Sequence, residues 1–166
     1  MLVIGIDPGT ATTGYGLIRE TESGVEAVDY GVITTPAQTP MDERLLSLYQ
    51  QLNALVLLHQ PDSGAVEKLF FSRNVTTAIT VGQARGVVIL KLAEEKIPVF
   101  EYTPMEVKMA VTGYGSAGKR QVQEMVRELL NLNSIPKPDD AADALAIAIC
   151  HLNNSKFSQL TRLYGE

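Results

Sequence analysis

The stretch Leu2-Val-Ile-Gly-Ile-Asp7, followed by Pro8-Gly-Thr-Ala-Thr-Thr-Gly14-Tyr-Gly16, decides how this chain folds. Its opening apolar run predicts a buried strand that delivers Asp7 to the edge of a hydrophobic core. An unpaired carboxylate is costly there unless a cation meets it, and the glycine-rich turn behind it lets a ligand approach the backbone closely. Asp7 therefore marks either a metal site for phosphate chemistry or an ordinary strand end before a hairpin turn.

The composition limits the class of protein to which the chain belongs. With 166 residues, of which 45% are hydrophobic and 20% charged, it is typical of one globular domain over residues 1–166. Cys150 is the only cysteine, so disulfides and cysteine-based zinc sites are excluded. We find no signal region and no apolar run of membrane-spanning length, so we expect a cytoplasmic protein without membrane contact. The net charge of -5 argues against a general basic coat for nucleic acid but leaves room for a local basic surface.

Hydrophobic periodicity predicts a mixed α/β fold. We expect three closely spaced strands that form an antiparallel meander, and two later strands, at 2–7, 15–19, 27–34, 65–70 and 99–102. Helices are expected at 42–59, 77–95, 105–111, 119–130 and 140–152. The strand–helix–strand order near the middle of the chain implies a parallel pair with a right-handed crossover. The prediction is a mixed five-stranded sheet, three strands antiparallel and two parallel, with helices on both faces.

Further carboxylates arrive on apolar elements. Glu67 lies in the strand Ala65-Val-Glu-Lys-Leu-Phe70, where it either points into a site or faces solvent by alternation. Asp140 and Asp143 share one face of the last helix, and capping of its N-terminus explains one aspartate but not Asp143, which precedes a wholly apolar run. Together with Asp7 they would repel one another and have raised pKa values without a counterion. Oxygen-only ligands favour Mg²⁺ or Mn²⁺, and two such ions suit phosphodiester hydrolysis.

At this point the sequence closely resembles a known family, the RuvC-type crossover junction endodeoxyribonucleases, or Holliday junction resolvases, of the ribonuclease H-like superfamily. The matching stretches follow one another in order over nearly the whole chain: Gly5-Ile-Asp7-Pro-Gly, Thr13-Gly-Tyr-Gly16, Glu67-Lys-Leu-Phe70, Gly82-Gln-Ala-Arg-Gly86, Pro98-Val-Phe-Glu-Tyr102, Val107-Lys108, Gly115-Ser-Ala-Gly-Lys119 and Asp140-Ala-Ala-Asp143-Ala-Leu-Ala-Ile-Ala. Their joint order and spacing are highly specific. The resemblance places the family's catalytic, metal-binding carboxylates on Asp7, Glu67, Asp140 and Asp143.

The resemblance also implies an activity and partners. It implies a homodimer that nicks two opposing strands of a four-way DNA junction symmetrically within a short thymine-containing sequence, with Mg²⁺ as the cofactor, two ions per active site, Mn²⁺ as a substitute, and the branch-migration proteins RuvA and RuvB as partners. Asp139 adds a carboxylate before the family's motif, which leaves open which of the adjacent pair binds metal. The tail after His151 is short, so DNA binding cannot rely on a basic C-terminal extension.

Candidate DNA contacts follow the second carboxylate strand. Residues 70–74 read as a loop that starts with two aromatic residues, Phe70 and Phe71, and includes Arg73. By resemblance Phe70 wedges into or stacks on unpaired bases; the alternative is a core plug at the end of the strand. Lys108 and Lys119 match family positions that approach the DNA backbone. Arg120 is better explained by a solvated helix face.

Helix 77–95 carries apolar residues on more than one face, so it is either a dimer interface, with Gly82 and Gly86 allowing close approach, or an unusually buried core helix. His59 and His151 lie in predicted helices and are more often packed or solvated than catalytic, although His151 follows the last carboxylates and could reach a site. The stretch Gly113-Tyr-Gly-Ser-Ala-Gly-Lys119 matches the first part of a phosphate-binding P-loop. Arg120, however, occupies the position where a P-loop has the Ser or Thr that binds Mg²⁺. We interpret this stretch as a loop with Ser116 as a helix N-cap and Lys119 turned to DNA.

Two other functions compete with junction resolution. Asp7-Pro-Gly-Thr-Ala-Thr-Thr-Gly14 also resembles the phosphate loop of actin-like ATPases and sugar kinases, but those proteins need a second similar domain. A related nuclease on structured RNA would share the first motif. It would not be expected to combine Glu67-x-x-Phe70 with Asp140-Ala-Ala-Asp143.

Overall fold

Five strands form one mixed sheet in the computed structural model, which describes residues 1–68 and 75–164 and, among these, not the side chains of 75, 76 and 157–164. The strands are β1 (Leu2–Asp7), β2 (Thr12–Thr21), β3 (Gly24–Thr34), β4 (Ser63–Glu67) and β5 (Val99–Tyr102). Their order is β3-β2-β1-β4-β5; β1, β2 and β3 pair antiparallel, whereas β4 pairs parallel to both β1 and β5. This confirms the predicted sheet. The predicted extent of β4 was too long, because the strand ends at Glu67.

The helices are α1 (Met41–His59), α2 (Val75–Glu94), α3 (Pro104–Thr112), α4 (Lys119–Leu129) and α5 (Asp139–Tyr164). Helix α3 begins at a capping box in which Thr103 accepts from the Glu106 amide and Glu106 accepts from the Thr103 amide. The predicted cap of α4 at Ser116 is wrong: the N-cap is Gly118, with no side-chain hydrogen bond. Helix α5 continues to Tyr164 instead of ending at Leu152.

Strand alternation assigns the helices to the two faces of the sheet. Ile4 and Ile6 of β1 pack with the buried residues of α1 and α2, whereas Val3 packs with α3, α4 and α5. Since side chains alternate along a strand, Asp7 shares the face of Val3, and Glu67 of β4 shares the face of buried Ala65. Both carboxylates therefore belong to the α5 face.

Glycines let α5 lie directly on the sheet. A Cβ at Gly5 would stand 2.6 Å from the amide nitrogen of Ala148, and one at Gly14 would overlap the carbonyl oxygen of Asp140. The backbones can approach this closely only because neither glycine has a side chain. The first turn of α5 is thereby held beside the C-terminal end of β1. Among the described helices, none combines the length and apolar character needed to cross a bilayer.

Candidate active site

Asp7 and Glu67 are the last residues of two adjacent parallel strands. Ile6 of β1 pairs with Val66 of β4, so the next residue on each strand, Asp7 or Glu67, emerges at the same sheet edge. The carboxyl ends of neighbouring parallel strands are a common place for a site in open α/β sheets. The structure therefore brings together the two carboxylates that the sequence singled out first.

A cavity of about 260 Å³ opens at this edge, between the sheet and the helices α3, α4 and α5. Asp7, Glu67 and Asp143 line it together with Lys108 and Lys119. Its remaining wall is apolar, from Pro104, Val107, Val122, Ala146 and Ile147. A pocket with apolar walls and a few converging charges is the usual form of a binding or catalytic site.

The carboxyl group of Asp7 is strongly perturbed. Burial, followed by the charges of Glu67, Asp143 and Asp140, raises the pKa of Asp7 from 3.8 to about 7, with Lys119 opposing this rise. A cation that neutralises the neighbouring carboxylates would favour the ionised form of Asp7.

The pKa values of Glu67 and Asp143 are raised as well. Burial and the charge of Asp143 raise the pKa of Glu67, against the opposing effect of Lys108. Burial also raises the pKa of Asp143, although Lys119 acts against it by charge and by a hydrogen bond. The pKa values of these three carboxylates are raised although Lys108 and Lys119 line the same cavity, so the two lysines offset only part of the effect of burial and repulsion.

Lys119 supplies part of the positive charge at the cavity. Its Nζ lies 3.3 Å from an oxygen of Asp143 and 3.4 Å from an oxygen of Asp139. Burial by itself would lower the pKa of Lys119, but these aspartates outweigh it and the pKa is raised. The Lys119 ammonium group therefore lies beside the carboxylates of the cavity, and its contact with DNA stays a prediction.

The adjacent aspartates at the start of α5 differ in their surroundings. Asp140 does not line the cavity, but its charge is among those that raise the pKa of Asp7. Asp139 contacts Lys119 and also accepts from Lys137 at 3.4 Å. The geometry therefore groups Asp140 with the carboxylates and Asp139 with the lysines.

The acidic side chains of the cavity offer carboxylate oxygens, which are the ligands of hard divalent cations. The pKa of Asp7, about 7, fits the same interpretation. Within residues 1–68 and 75–164, however, no three His, Cys, Asp or Glu side chains form a group that would hold an ion by themselves. The described carboxylates of the cavity line its wall and do not converge on a single metal-binding position.

The other predicted residues divide into three groups. His151 is buried and bonded to the hydroxyls of Tyr102 at 2.8 Å and Ser63 at 3.0 Å, so it is a packed histidine. Lys119 begins α4 after helix α3 and a loop, which lacks the strand that a P-loop requires. Phe70, Phe71 and Arg73 lie outside the described residues.

Sequence reasoning missed the contacts made by Arg85. Its Nε donates to the carbonyl oxygen of Glu67 at 3.3 Å, and its guanidinium forms an ion pair with Glu101 of β5. The signal was present, because Arg85 stands in Gly82-Gln-Ala-Arg-Gly86, but a motif alone does not tell which strand a helix residue reaches.

Comparison with known proteins identifies the family. The family model of the crossover junction endodeoxyribonuclease RuvC matches residues 3–151. The chain belongs to the RuvC family. RuvC of Desulfitobacterium hafniense is 60% identical over 154 residues, 93% of each chain, and RuvC of Syntrophomonas wolfei is 56% identical over 158 residues, 95% of this chain and 92% of that one.

Solved structures agree with this assignment. RuvC of Thermus thermophilus superposes with a TM-score of 0.89 at 35% identity, covering 95% of this chain and 97% of that one. The same protein in complex with a Holliday junction substrate gives 0.87 at 34% identity, covering 95% and 96%. Family membership confirms the predicted enzyme class, a nuclease that resolves Holliday junctions, and the ribonuclease H-like fold. It does not favour the ATPase or RNA nuclease alternatives.

Proposed function

We propose that this RuvC protein cuts four-way DNA junctions by paired symmetric nicks, with two Mg²⁺ ions held by Asp7, Glu67, Asp140 and Asp143. The observation that carries the proposal is the meeting of Asp7, Glu67 and Asp143 in one cavity, where burial and the charges of neighbouring carboxylates raise the pKa of each. The family implies a divalent metal. The identity and number of the ions are part of the proposal.

Each residue then has a definite task. Divalent ions bound by these carboxylates would supply an activated water and stabilise the leaving oxygen. The rigid ends of β1 and β4 hold Asp7 and Glu67 in place, and α5 presents Asp143 opposite them. Lys108 and Lys119 contribute positive charge at the cavity, which supports their role toward the phosphate backbone.

Removal of single carboxylate charges tests the catalytic proposal. Asp7→Asn, Glu67→Gln, Asp140→Asn and Asp143→Asn should each abolish nicking of a labelled four-way junction in Mg²⁺ while junction binding persists. Asp139→Asn is the matched control, because its carboxylate pairs with lysines and is not among the charges that raise the pKa of Asp7. Equal loss of binding and cutting in all four variants would assign the carboxylates to structure. Linear duplex and hairpin RNA are the control substrates, with and without Mg²⁺.

A homodimer through α2 belongs to the same proposal. Described residues on one side of α2 are exposed at helical spacing: Ile79, Gln83, Gly86, Leu90 and Ala93. Ile79 is 58% and Leu90 63% exposed, which disfavours the alternative of a fully buried core helix. A Cβ at Gly86 would meet nothing within 4 Å, so a second helix has room to approach there. Symmetric nicks on opposite strands need two such sites, one in each copy.

Further proposals concern partners, cleavage sequence and location. RuvA and RuvB as partners and the preference for a thymine-containing sequence rest on the family, whereas one cytoplasmic nuclease domain over residues 1–166 rests on the sequence. Phe70, Phe71 and Arg73 stay predicted DNA contacts.

Phe70→Ala should reduce cutting of a fully paired junction more than cutting of a junction with unpaired central bases, because unstacking costs roughly a few kcal/mol that the open substrate does not require. An equal loss of cutting on both substrates, together with a lower melting temperature, would instead identify Phe70 as a core residue.

A further inference from the structure

Arg85 lies on the opposite side of the sheet from the carboxylate cavity. Helix α2 packs against the face that holds Ile4 and Ile6, whereas the side chains of Asp7 and Glu67 belong to the other face. Arg85 cannot therefore be counted among the cavity residues, and within the described residues it does not line that cavity.

Arg85 nevertheless reaches the backbone of the active site. Its Nε donates to the carbonyl oxygen of Glu67 at 3.3 Å, and its guanidinium forms an ion pair with Glu101. Glu101 pairs in register with Val66, the residue before Glu67, so both contacts fall at the same edge of the sheet. The Arg85 side chain is only 19% exposed, which favours a fixed position.

Glu67 is the last residue of β4. Its neighbour Lys68 is the first residue after the strand, and its amide donates to the Tyr102 carbonyl at 2.8 Å. From helix α2, the Arg85 side chain donates to the Glu67 carbonyl itself. The ion pair with Glu101 orients the planar guanidinium of Arg85. Arg85 therefore links the end of β4, at the Glu67 carbonyl, to β5, at Glu101.

Helix α2 also holds the segment after β1. The hydroxyl of Thr10, three residues beyond Asp7, donates to the carbonyl oxygen of Thr80 at 2.9 Å. One helix thus contacts the chain next to Asp7 and the backbone of Glu67 itself. The outer side of that same helix carries the exposed Gly86 and Leu90.

We propose that Arg85, held by Glu101, is a positioning residue that fixes the Glu67 carboxylate for metal binding from behind the sheet. This inference rests on the proposed role of Glu67. Interactions behind a metal ligand orient it, and their loss typically costs about 10- to 100-fold in metal affinity or activity. Arg85 acts through the backbone of Glu67 and does not line the cavity.

The decisive measurements are Mn²⁺ binding without DNA, by calorimetry, and the Mg²⁺ concentration for half-maximal junction nicking. Arg85→Gln should weaken Mn²⁺ binding and raise that Mg²⁺ concentration about 10-fold or more, with junction affinity within about twofold of wild type. Glu101→Gln should shift both values in the same direction by a smaller factor. Arg85→Lys retains the charge but not the planar fork, so it should recover only part of the loss.

Matched controls separate positioning from general stability. Arg19 and Glu26 form an exposed arginine–glutamate pair on β2 and β3, and Arg19 pairs in register with Leu2 at the opposite end of β1 from Asp7. Arg19→Gln should leave metal dependence unchanged. A wild-type metal dependence in Arg85→Gln or in Glu101→Gln overturns the inference, as does a loss of melting temperature and junction affinity with no change in metal dependence. If Glu67→Gln still cuts normally, the proposed function fails instead.

Discussion

Asp7 is the residue whose chemistry depends most on its surroundings. Its pKa of about 7 exceeds the value of 3.8 expected in the unfolded chain, because burial and neighbouring carboxylates oppose its ionisation. As the pH rises from about 4 to about 7, the unfolded chain loses this proton before the folded protein does, so the metal-free protein loses stability over that window. Each pKa unit is worth about 1.4 kcal/mol, so the total cost is roughly 4 kcal/mol.

We therefore expect Asp7→Asn to raise the melting temperature of the metal-free protein at pH 8 and to have little effect at pH 4. Adding Mg²⁺ should stabilise wild type at pH 8 but not Asp7→Asn, because the ion neutralises the charge that burial disfavours. Thermal unfolding in EDTA and in Mg²⁺ at both pH values measures this. A pH dependence that is identical in the two proteins would contradict the assignment.

Lys119 makes a contact with Asp143 that the sequence analysis did not predict. Because its ammonium group lies 3.3 Å from Asp143, it competes with a divalent cation for the same carboxylates. Lys119→Met should therefore tighten Mn²⁺ binding without DNA by up to about fivefold, because a half-exposed ion pair contributes at most about 1 kcal/mol, and should weaken junction binding. Calorimetry and a gel-shift assay measure the two effects.

Lys137→Met is the matched control for that prediction. Lys137 also contacts Asp139, but it is 74% exposed and does not line the cavity. Its loss should change Mn²⁺ affinity by less than about twofold, since exposed ion pairs contribute little. The same affinity gain in both variants would show a nonspecific charge effect and not a competition at the site.

At the scale of elements, the contact of α5 with β1 and β2 determines where Asp140 and Asp143 lie. Gly14→Ala would force the first turn of α5 away from the sheet, because the added methyl overlaps the Asp140 carbonyl. We expect a loss of roughly 1–3 kcal/mol in the free energy of unfolding, and a fall in nicking rate at a temperature where the variant is folded. Chemical denaturation and nicking assays measure these effects.

Gly118→Ala provides the comparison, because a Cβ at Gly118 meets nothing within 4 Å and the residue has an extended φ of -71°. It should cost less than about 1 kcal/mol and retain nicking. If Gly14→Ala behaved like Gly118→Ala, close contact of α5 with β2 would not be what places the carboxylates.

At the scale of the whole molecule, the exposed side of α2 predicts the oligomeric state. Leu90→Glu should convert a dimer to a monomer in sedimentation at micromolar concentration, because a charge in the centre of a helix pair is buried without a partner. Leu129→Glu is the control: Leu129 is 44% exposed on α4, outside this stripe. A wild type that sediments only as a monomer, with and without junction DNA, would contradict the dimer.

The sequence by itself determined the sheet and predicted the set of carboxylates. Apolar runs have a period that encodes strand or helix, and a carboxylate inside such a run, such as Asp7 or Glu67, is anomalous wherever the run is placed. The order of the motifs also identified the family before any distance was known, because the spacing of Glu67-x-x-Phe70 and Asp140-Ala-Ala-Asp143 does not depend on packing.

Only the tertiary structure decided which charges meet. Lys119 and Asp143 are far apart in the sequence but lie 3.3 Å apart, because α4 and α5 pack on the same face of the sheet. The contact of Arg85 with the Glu67 carbonyl likewise depends on the crossover that lays α2 under β4. Periodicity specifies which side of an element is buried, whereas the partner of a polar side chain is set by the relative placement of elements.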